Sequence, residues 1–358
     1  MESSSSGLSA SFDAKNDELL ACLESHLFLP LSDRQSSLVF HPDYDVHFAG
    51  LEKLHVFDAA KWGNVFSALQ EWDLVSESTV VRPMEASRRD LRIAHSSCYL
   101  ASLNSPCVLA NIVELPLLCI IPPCLYDRYF LRRMRLQVGG TVAACRLALE
   151  RNWAINIGGG FHHASHDRGG GFCVYADISL AVKMLLTMKL IQKVLILDVD
   201  AHQGNGHERD FVGESRVFIV DLFNPLIYPR DQVALHAISR AVPILERTTD
   251  DRYIKILRQN LEAALGEFSA DLIVYNAGTD SLAGDPLGRL ELSPEGIMRR
   301  DELVFSMARE SATPIAMVTS GGYQKSNALV IAESIRNLHD KGLIQLKPEL
   351  SSQNKRIP

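Results

Sequence analysis

The segment KVLILDVDAHQGNG (residues 193–206) decides the fold. Its first half is a continuous apolar run of leucine, valine and isoleucine, which is typical of a parallel strand buried on both faces. Its second half becomes polar and rich in glycine, which indicates that the strand ends there. Ligands bind beyond the carboxyl ends of parallel strands, so this segment predicts a site at that edge of a sheet.

Five more apolar runs of this kind recur along the chain, separated by longer stretches of helical periodicity. The runs lie at 37–40, 153–157, 216–220, 271–276 and 314–319, and the helical stretches at 58–72, 141–152, 178–189, 251–268, 293–310 and 327–339. This alternation predicts a doubly wound α/β fold, a mostly parallel sheet with helices on both faces. No strong linker or internal repeat divides it, so we expect a single domain over residues 16–345.

The composition argues against several classes of protein. A net charge of -7 at pH 7 disfavours generic binding to nucleic acid. We therefore expect no direct sequence-specific binding to nucleic acid either. No apolar run approaches the ~20 residues that a membrane span needs. The seven cysteines include no CxxC pair, which favours free thiols in a reducing compartment. We expect a soluble chain with a disordered serine-rich tail at 1–15 and a flexible tail at 346–358.

Two aspartates and a histidine, Asp198, Asp200 and His202, alternate where the first strand ends. A period of two places all three side chains on one side of an extended chain. Two carboxylates and an imidazole so placed are costly to bury unless a cation joins them. Asp280, in AGTDSLAGDP (277–286), adds a third ligand and leaves one position open for water, as in catalytic zinc sites. Taken alone, Asp280 has an alternative interpretation as a turn residue beside Gly278.

Two more glycine-rich motifs follow predicted strands. In GGGFHHA (158–164), His162 and His163 are adjacent, which suggests proton transfer near a metal. Gly171 and Phe172 belong to a second glycine cluster. Two interpretations of this cluster stay open, a wall of a channel and a flexible loop. In SGGYQ (320–324), the phenol of Tyr323 can donate a hydrogen bond to a developing oxyanion, although lone tyrosines more often serve packing.

These four blocks, in this order, resemble the blocks of zinc-dependent histone deacetylases. The resemblance extends from about Leu38 to about Leu338. Two further segments, LEKLHVFDAAKWG (51–63) and LRIAHSSCYLASL (91–103), resemble class IV of that family most. The resemblance implies an arginase/deacetylase-like fold and zinc-dependent hydrolysis of a linear amide, N6-acyl-lysine, by water that the metal activates.

The resemblance also implies a role for each matched residue. The implied zinc ligands are Asp200, His202 and Asp280, and Tyr323 polarises the acyl carbonyl. The implied tandem histidines are His162, with Asp198 behind it, and His163, with Asn205 as its partner. A structural potassium site is implied at Asp198, Asp200, His202, Asp221 and Leu222, and a substrate channel lined by Gly171, Phe172 and Tyr228.

The sequence departs from the class I pattern in two places. Gln203 and Asn205 stand where class I enzymes carry histidine and aspartate, so the partner of His163 is neutral. In addition, the segment Pro116–Gln137 lacks the acidic residue with which class I enzymes grip the substrate backbone. The sequence therefore leaves the substrate-clamping residue unassigned.

The implied function is removal of acetyl, or longer acyl, groups from lysines of histones or other proteins. The implied setting is chromatin and transcriptional repression, in corepressor complexes, in the nucleus, the cytoplasm or both. Three alternatives stay open from sequence: an amidohydrolase of acetylpolyamines or other small amides, an arginase-like hydrolase, and a scaffold that binds acyl-lysine without turnover. Gln203 and Asn205 disfavour the second metal that the arginase-like alternative requires.

Overall fold

The computed structural model describes residues 17–28, 32, 34–47, 50, 52 and 55–347. The tail predicted to be disordered, 1–15, lies outside the described residues, as does 348–358 of the tail predicted to be flexible. The two domain boundaries, at 16 and 345, thus stay predictions.

Seven strands within the described residues form one sheet, in which every neighbouring pair is parallel. The order across the sheet is β1-β2-β7-β6-β3-β4-β5. The strands are β1 (Leu38–Val39), β2 (Trp153–Asn156), β3 (Val194–Asp198), β4 (Val217–Phe223), β5 (Arg240–Pro243), β6 (Leu272–Asn276) and β7 (Ile315–Val318).

The six predicted strands are all present, and β5 is the strand that the sequence did not predict. It is an edge strand in which Val242 is the one buried residue, and it ends at Pro243. A half-exposed edge strand has neither the continuous apolar run of a buried strand nor a clear alternation, so its sequence carries little signal.

The six predicted helices are present, with several short helices in addition. The α-helices are α1 (Lys61–Glu71), α2 (Arg88–Ala94), α3 (Ser97–Ser102), α4 (Pro106–Ile112), α5 (Pro123–Tyr126), α6 (Arg132–Arg151), α7 (Asp177–Thr187), α8 (Asn205–Asp210), α9 (Asp250–Glu267), α10 (Pro294–Glu310) and α11 (Asn327–Asp340). Residues 17–23 are also helical. Short 3-10 helices lie at His26–Phe28, Pro42–Tyr44, Pro116–Ile120 and Ala234–Ala237, and a π-helical turn at Asp127–Leu131.

Helix α6 begins at Arg132, well before the predicted start at Thr141. The predicted helix begins just after Gly139 and Gly140, and glycine usually disfavours helix interiors. A Cβ atom at Gly139 would lie only 1.8 Å from the backbone oxygen of Met84. Glycine is therefore needed at this point because another segment packs against the helix backbone.

The core consists of two layers, one on each face of the sheet. Leu195 and Leu197 face the layer that contains α1, α9, α10 and α11, whereas Val194 and Ile196 face the layer of α6 and α7. The described residues contain no helix that is both long and apolar enough to cross a bilayer. The predicted doubly wound α/β architecture is confirmed.

The sheet order brings four polar loops together. The loops after β2, β7, β6 and β3 carry the four quoted blocks, and these strands are consecutive in the sheet. Because all of them run parallel, their carboxyl ends meet at one edge. The topology thus gathers the predicted site residues in a single place.

Candidate active site

The loop that follows β3 is held by its own carboxylates. The backbone N–H of Asp200 donates to Asp198 Oδ1 (3.1 Å), and the N–H of His202 donates to Asp200 Oδ1 (3.0 Å). All three side chains are buried. The predicted alternation therefore places the three groups together, with their polar atoms shielded from water.

Asp280 completes a cluster with Asp200 and His202. His202 Nδ1 lies 2.7 Å from Asp280 Oδ2 and 3.1 Å from Asp200 Oδ1. One potential ligand atom from each residue lies within 4.8 Å of the others. The N–H of Ala201 donates to Asp280 Oδ1 (2.8 Å) and that of Gly321 to Asp200 Oδ2 (2.9 Å), which fixes both carboxylates.

The electrostatics of this cluster favour a bound cation. Burial raises the pKa of Asp280 to about 7, and the charge of Asp200 adds to the effect. Burial opposes a charge on His202 as well, but its hydrogen bonds to Asp200 and Asp280 raise its pKa to about 10. A proton on the imidazole therefore balances the charge of the buried carboxylates. A divalent cation with oxygen and nitrogen ligands can replace that proton.

Asp198 lies behind the cluster and accepts hydrogen bonds from two imidazoles. Its Oδ2 atom lies 2.9 Å from His162 Nδ1 and 2.8 Å from His207 Nε2, while Asn276 Nδ2 donates to Oδ1 (2.9 Å). Burial opposes ionisation, but the two histidines outweigh it and lower the pKa of Asp198 to about 2. Asp198 is therefore a carboxylate that only accepts, so each imidazole nitrogen that contacts it carries a proton.

The adjacent histidines have opposite electrostatic surroundings. Burial alone would lower the pKa of His162, but the charges of Asp198 and Asp200 raise it to about 9. For His163, burial and the neighbouring His162 and His202 hold the pKa well below its usual value. His163 Nδ1 lies 2.8 Å from Asn205 Oδ1, a neutral partner. At neutral pH, His162 is thus a cation and His163 a free base.

Tyr323 projects beside the cluster from the glycine turn after β7. Its backbone N–H donates to Asp285 Oδ2 (2.9 Å), and its ring centroid lies 6.3 Å from that of His202. Burial, with the charges of Asp200 and Asp280, holds the pKa of the phenol well above its usual value. The hydroxyl therefore stays protonated and can donate a hydrogen bond.

Two aromatic rings and a glycine pack around these groups. The Phe172 ring centroid lies 5.9 Å from that of Tyr323, and the Tyr228 ring lies 4.9 Å from that of His163. Gly171 has a positive φ of 50°, and a Cβ atom there would lie 2.4 Å from His163 Cδ2. The three residues predicted to line the channel therefore surround His163 and Tyr323.

The residues predicted to bind potassium also lie together. Asp221 pairs with Asp198 in the register of β3 and β4, and the N–H of Gly204 donates to Asp221 Oδ2 (2.9 Å). Its Oδ1 atom is buried without a hydrogen-bond partner in the described structure. Burial and the charges of Asp198 and Glu208 hold the pKa of Asp221 well above its usual value. An unpartnered buried carboxylate oxygen at this point fits a cation site.

A sequence profile of the histone deacetylase domain matches residues 55–338. Histone deacetylase 2 of Arabidopsis thaliana is 48% identical over 327 residues, which cover 91% of this chain and 84% of that protein. The chain belongs to the histone deacetylase family. This histone deacetylase is therefore a hydrolase of a zinc-dependent amide hydrolase family and removes acetyl groups from lysine.

The chain is also similar to a bacterial protein and to a solved structure. An uncharacterized protein of Picosynechococcus sp. is 30% identical over 292 residues, which cover 81% of this chain and 92% of that protein. The crystal structure of the HDA15 HD domain matches with a TM-score of 0.69 at 18% identity, covering 86% of this chain and 89% of that one. At that identity, the structural match supports the fold alone.

Lys61 is a buried residue of this histone deacetylase to which the sequence assigned no role. Its Nζ atom donates to the backbone oxygens of Ser320 (2.7 Å) and Gly321 (3.0 Å), in the turn that carries Tyr323. The ammonium also lies 4.2 Å from the centre of the Trp62 ring. Burial lowers its pKa to about 7, although the charges of Asp280 and Asp200 oppose the shift. Lys61 lies in a quoted block, but its contacts are long-range and sequence alone does not reveal them.

Glu114 is an acidic residue near His55 and Tyr228, just before the segment Pro116–Gln137. It is exposed and has a positive φ of 55°. Its charge influences the pKa of His55 and of Tyr228, although burial is the larger influence on each. The acid within the segment, Asp127, is already paired with Arg135 (2.7 Å).

Replacing Tyr323 with phenylalanine should lower kcat of the zinc-loaded enzyme by roughly 10² to 10³, the scale for one oxyanion donor. Zinc content and thermal stability should not change, because the ring keeps its contacts with Phe57 and Phe172. Steady-state kinetics on an acetyl-lysine peptide provide the measurement.

Tyr126→Phe is the matched control, because that hydroxyl donates to the backbone oxygen of Leu103 (2.9 Å) outside the active-site cluster. It should leave kcat within about twofold, since it removes one ordinary hydrogen bond. A Tyr323→Phe enzyme with the wild-type kcat would exclude the hydroxyl from the reaction.

Proposed function

We propose that this chain hydrolyses N6-acyl-lysine side chains with a zinc ion held by Asp200, His202 and Asp280. The observation that carries the proposal is the buried cluster of two carboxylates and one imidazole, with ligand atoms within 4.8 Å of one another. Such a group of oxygen and nitrogen ligands fits zinc and leaves a position for water. When bound, zinc supplies a Lewis acid that polarises the acyl carbonyl and makes water more acidic.

His163 is the general base in this proposal, and its lowered pKa supports the role. Burial and the neighbouring His162 and His202 keep His163 unprotonated at neutral pH. It accepts the proton of the attacking water and returns it to the lysine amine as the amine leaves. Because His162 keeps its charge beside Asp198, it stabilises the negative charge that develops on the acyl oxygen. The Tyr323 hydroxyl donates to the same oxygen.

We also propose a structural potassium ion at Asp198, Asp200, His202, Asp221 and Leu222. The buried, unpartnered Oδ1 atom of Asp221 supports this site. Asp198 and Asp221 are neighbours in the sheet, and a monovalent cation between them would offset their repulsion. The ion would fix the loop after β3, and with it the zinc ligands Asp200 and His202.

The cavity beside the cluster supports hydrolysis of acyl groups longer than acetyl. Its volume is about 120 Å³, and its lining includes Phe172, Tyr323, Gly160, Val46 and Met134. Most of the lining is apolar, as a neutral hydrocarbon chain requires. We propose the exposed Glu114 carboxylate, whose charge acts on Tyr228, as the group that accepts hydrogen bonds from the backbone of a substrate peptide.

Histones and other acylated proteins are the proposed substrates, in agreement with the names of the relatives. Corepressor complexes, a nuclear or cytoplasmic location and membership of class IV belong to the same proposal. The alternative function, an amidohydrolase of free acetylpolyamines, predicts faster turnover of free acetylpolyamine than of an acetyl-lysine peptide. A non-catalytic scaffold is disfavoured because the cluster, both histidines and Tyr323 are all present.

Asp200→Ala should abolish stoichiometric zinc binding and deacylase activity together, because the cluster loses one of its two carboxylates. Zinc content is measured by mass spectrometry of the metal after dialysis, and activity on an acetyl-lysine peptide. The control is Asp271→Ala. Asp271 lies at the opposite end of the sheet, where it accepts from the N–H groups of Gln192 and Lys193. Full activity of Asp200→Ala without any divalent metal would falsify the proposed site.

A panel of peptides that differ only in acyl length tests the cavity assignment. We expect kcat/KM for hexanoyl-lysine to equal or exceed that for acetyl-lysine, because the apolar cavity accommodates the added carbons. Val46→Phe, which fills part of the cavity and replaces none of the cluster residues, should lower hexanoyl turnover about tenfold and leave acetyl turnover within about twofold. A steady fall in kcat/KM with each added carbon contradicts the assignment. Faster turnover of free acetylpolyamine than of any peptide would favour the small-amide alternative.

A further inference from the structure

Asn205, the neutral partner of His163, is itself held by a carboxylate. Its Nδ2 atom donates to Asp231 Oδ2 (3.3 Å). Asp231 lies on the loop that carries Tyr228, and its side chain is only 11% exposed. Arg209 donates to both carboxylate oxygens of Asp231, at 2.5 and 2.6 Å. A chain of contacts thus leads from His163 through Asn205 to an arginine-bound carboxylate.

This chain of contacts determines which way the Asn205 amide points. An asparagine can present either its oxygen or its nitrogen to a neighbour. Asp231, as a carboxylate, only accepts hydrogen bonds, so the Asn205 nitrogen must face it. The Asn205 oxygen then faces His163 Nδ1 at 2.8 Å. His163 must therefore carry its proton on Nδ1, which leaves the lone pair of Nε2 free to act as the base.

Gln203 holds the same residue through its backbone. The N–H of Asp231 donates to Gln203 Oε1 (2.9 Å), and Gln203 Nε2 donates to the backbone oxygen of Asp231 (3.1 Å). Gln203 and Asn205 are the two residues that stand where class I enzymes carry histidine and aspartate. Both contact Asp231, so the two departures form one arrangement.

We propose that Asp231 is a positioning residue that sets the tautomer of His163 by fixing the orientation of the Asn205 amide. The proposal rests on the role of His163 as general base in the proposed function. In this arrangement the negative charge stays one residue away from His163, where Arg209 offsets it. The partner of the base can then orient the imidazole without carrying a charge of its own.

The test exchanges the amide of Asn205 and the carboxylate of Asp231 between the two positions. Asp231→Asn removes the constraint on the Asn205 amide, and we expect kcat to fall roughly tenfold, with KM within about twofold. Asn205→Asp alone places two carboxylates in contact with no hydrogen between them, and kcat should also fall. In the double variant Asn205→Asp with Asp231→Asn, a carboxylate again faces His163 and an amide nitrogen can again donate to it. Its plateau kcat, read from a full pH profile, should recover to within about threefold of wild type.

Glu214→Gln is the matched control. Glu214 is also bound by an arginine through both oxygens, at 2.9 and 2.6 Å from Arg216, but it does not contact Asn205. It should leave kcat unchanged. The proposal would be overturned if kcat of the double variant fell by the product of the two fold-decreases seen in the single variants. It would also be overturned if Asp231→Asn kept the wild-type kcat.

A spectroscopic measurement separates this proposal from the proposed function. Nitrogen NMR of protein labelled with ¹⁵N-histidine, with His163→Ala to assign the signal, should show a proton on Nδ1 of His163 in the wild type. In Asp231→Asn, the signal should shift towards the other tautomer. This readout does not require activity, so an inactive wild type contradicts the proposed function alone. A wild-type His163 with its proton on Nε2 contradicts the positioning role of Asp231, whatever the activity.

Discussion

The burial of Asp200 and Asp280 side by side is the constraint on which the active site depends. Two carboxylates out of contact with water repel each other, and the raised pKa of Asp280 expresses that cost. Two buried basic side chains, Lys61 and Arg300, contact the loops around them. Lys61 donates to the turn that carries Tyr323, and Arg300 Nη1 donates to the backbone oxygen of Gly278 (2.5 Å), next to the Asp280 loop. The fold thus holds the acidic loops through backbone carbonyls, and the carboxylates stay available for a metal.

The same region shifts the pKa values of two adjacent histidines in opposite directions. His162 contacts Asp198, whose charge outweighs the effect of burial, whereas His163 contacts the neutral amide of Asn205. The fixed acceptor behind His162 favours the cation, and the lack of one beside His163 favours the free base. In the proposed mechanism, proton transfer and charge stabilisation are therefore separated by the partners of the two rings and not by the rings themselves.

Local patterns in the sequence predicted most of the fold and of the site, since buried strands and the residues at their ends are contiguous in the chain. Asp198, Asp200 and His202 followed from a period of two, and β3 from its apolar run. Lys61 and Asp231 did not, because each acts on a segment that is distant in sequence. Strand β5 and the short helices between Arg88 and Tyr126 carry too few residues for a periodic signal.

The assignment of Asp200, His202 and Asp280 as zinc ligands can be tested by the zinc K-edge X-ray absorption spectrum of the purified protein with one equivalent of zinc. We expect only nitrogen and oxygen atoms around the zinc, at roughly 2.0 to 2.2 Å, as carboxylate and imidazole ligands require. The chain contains seven cysteines, so thiolate binding is a real competitor. Sulfur in the first shell, at roughly 2.3 Å, would contradict the assignment of Asp200, His202 and Asp280.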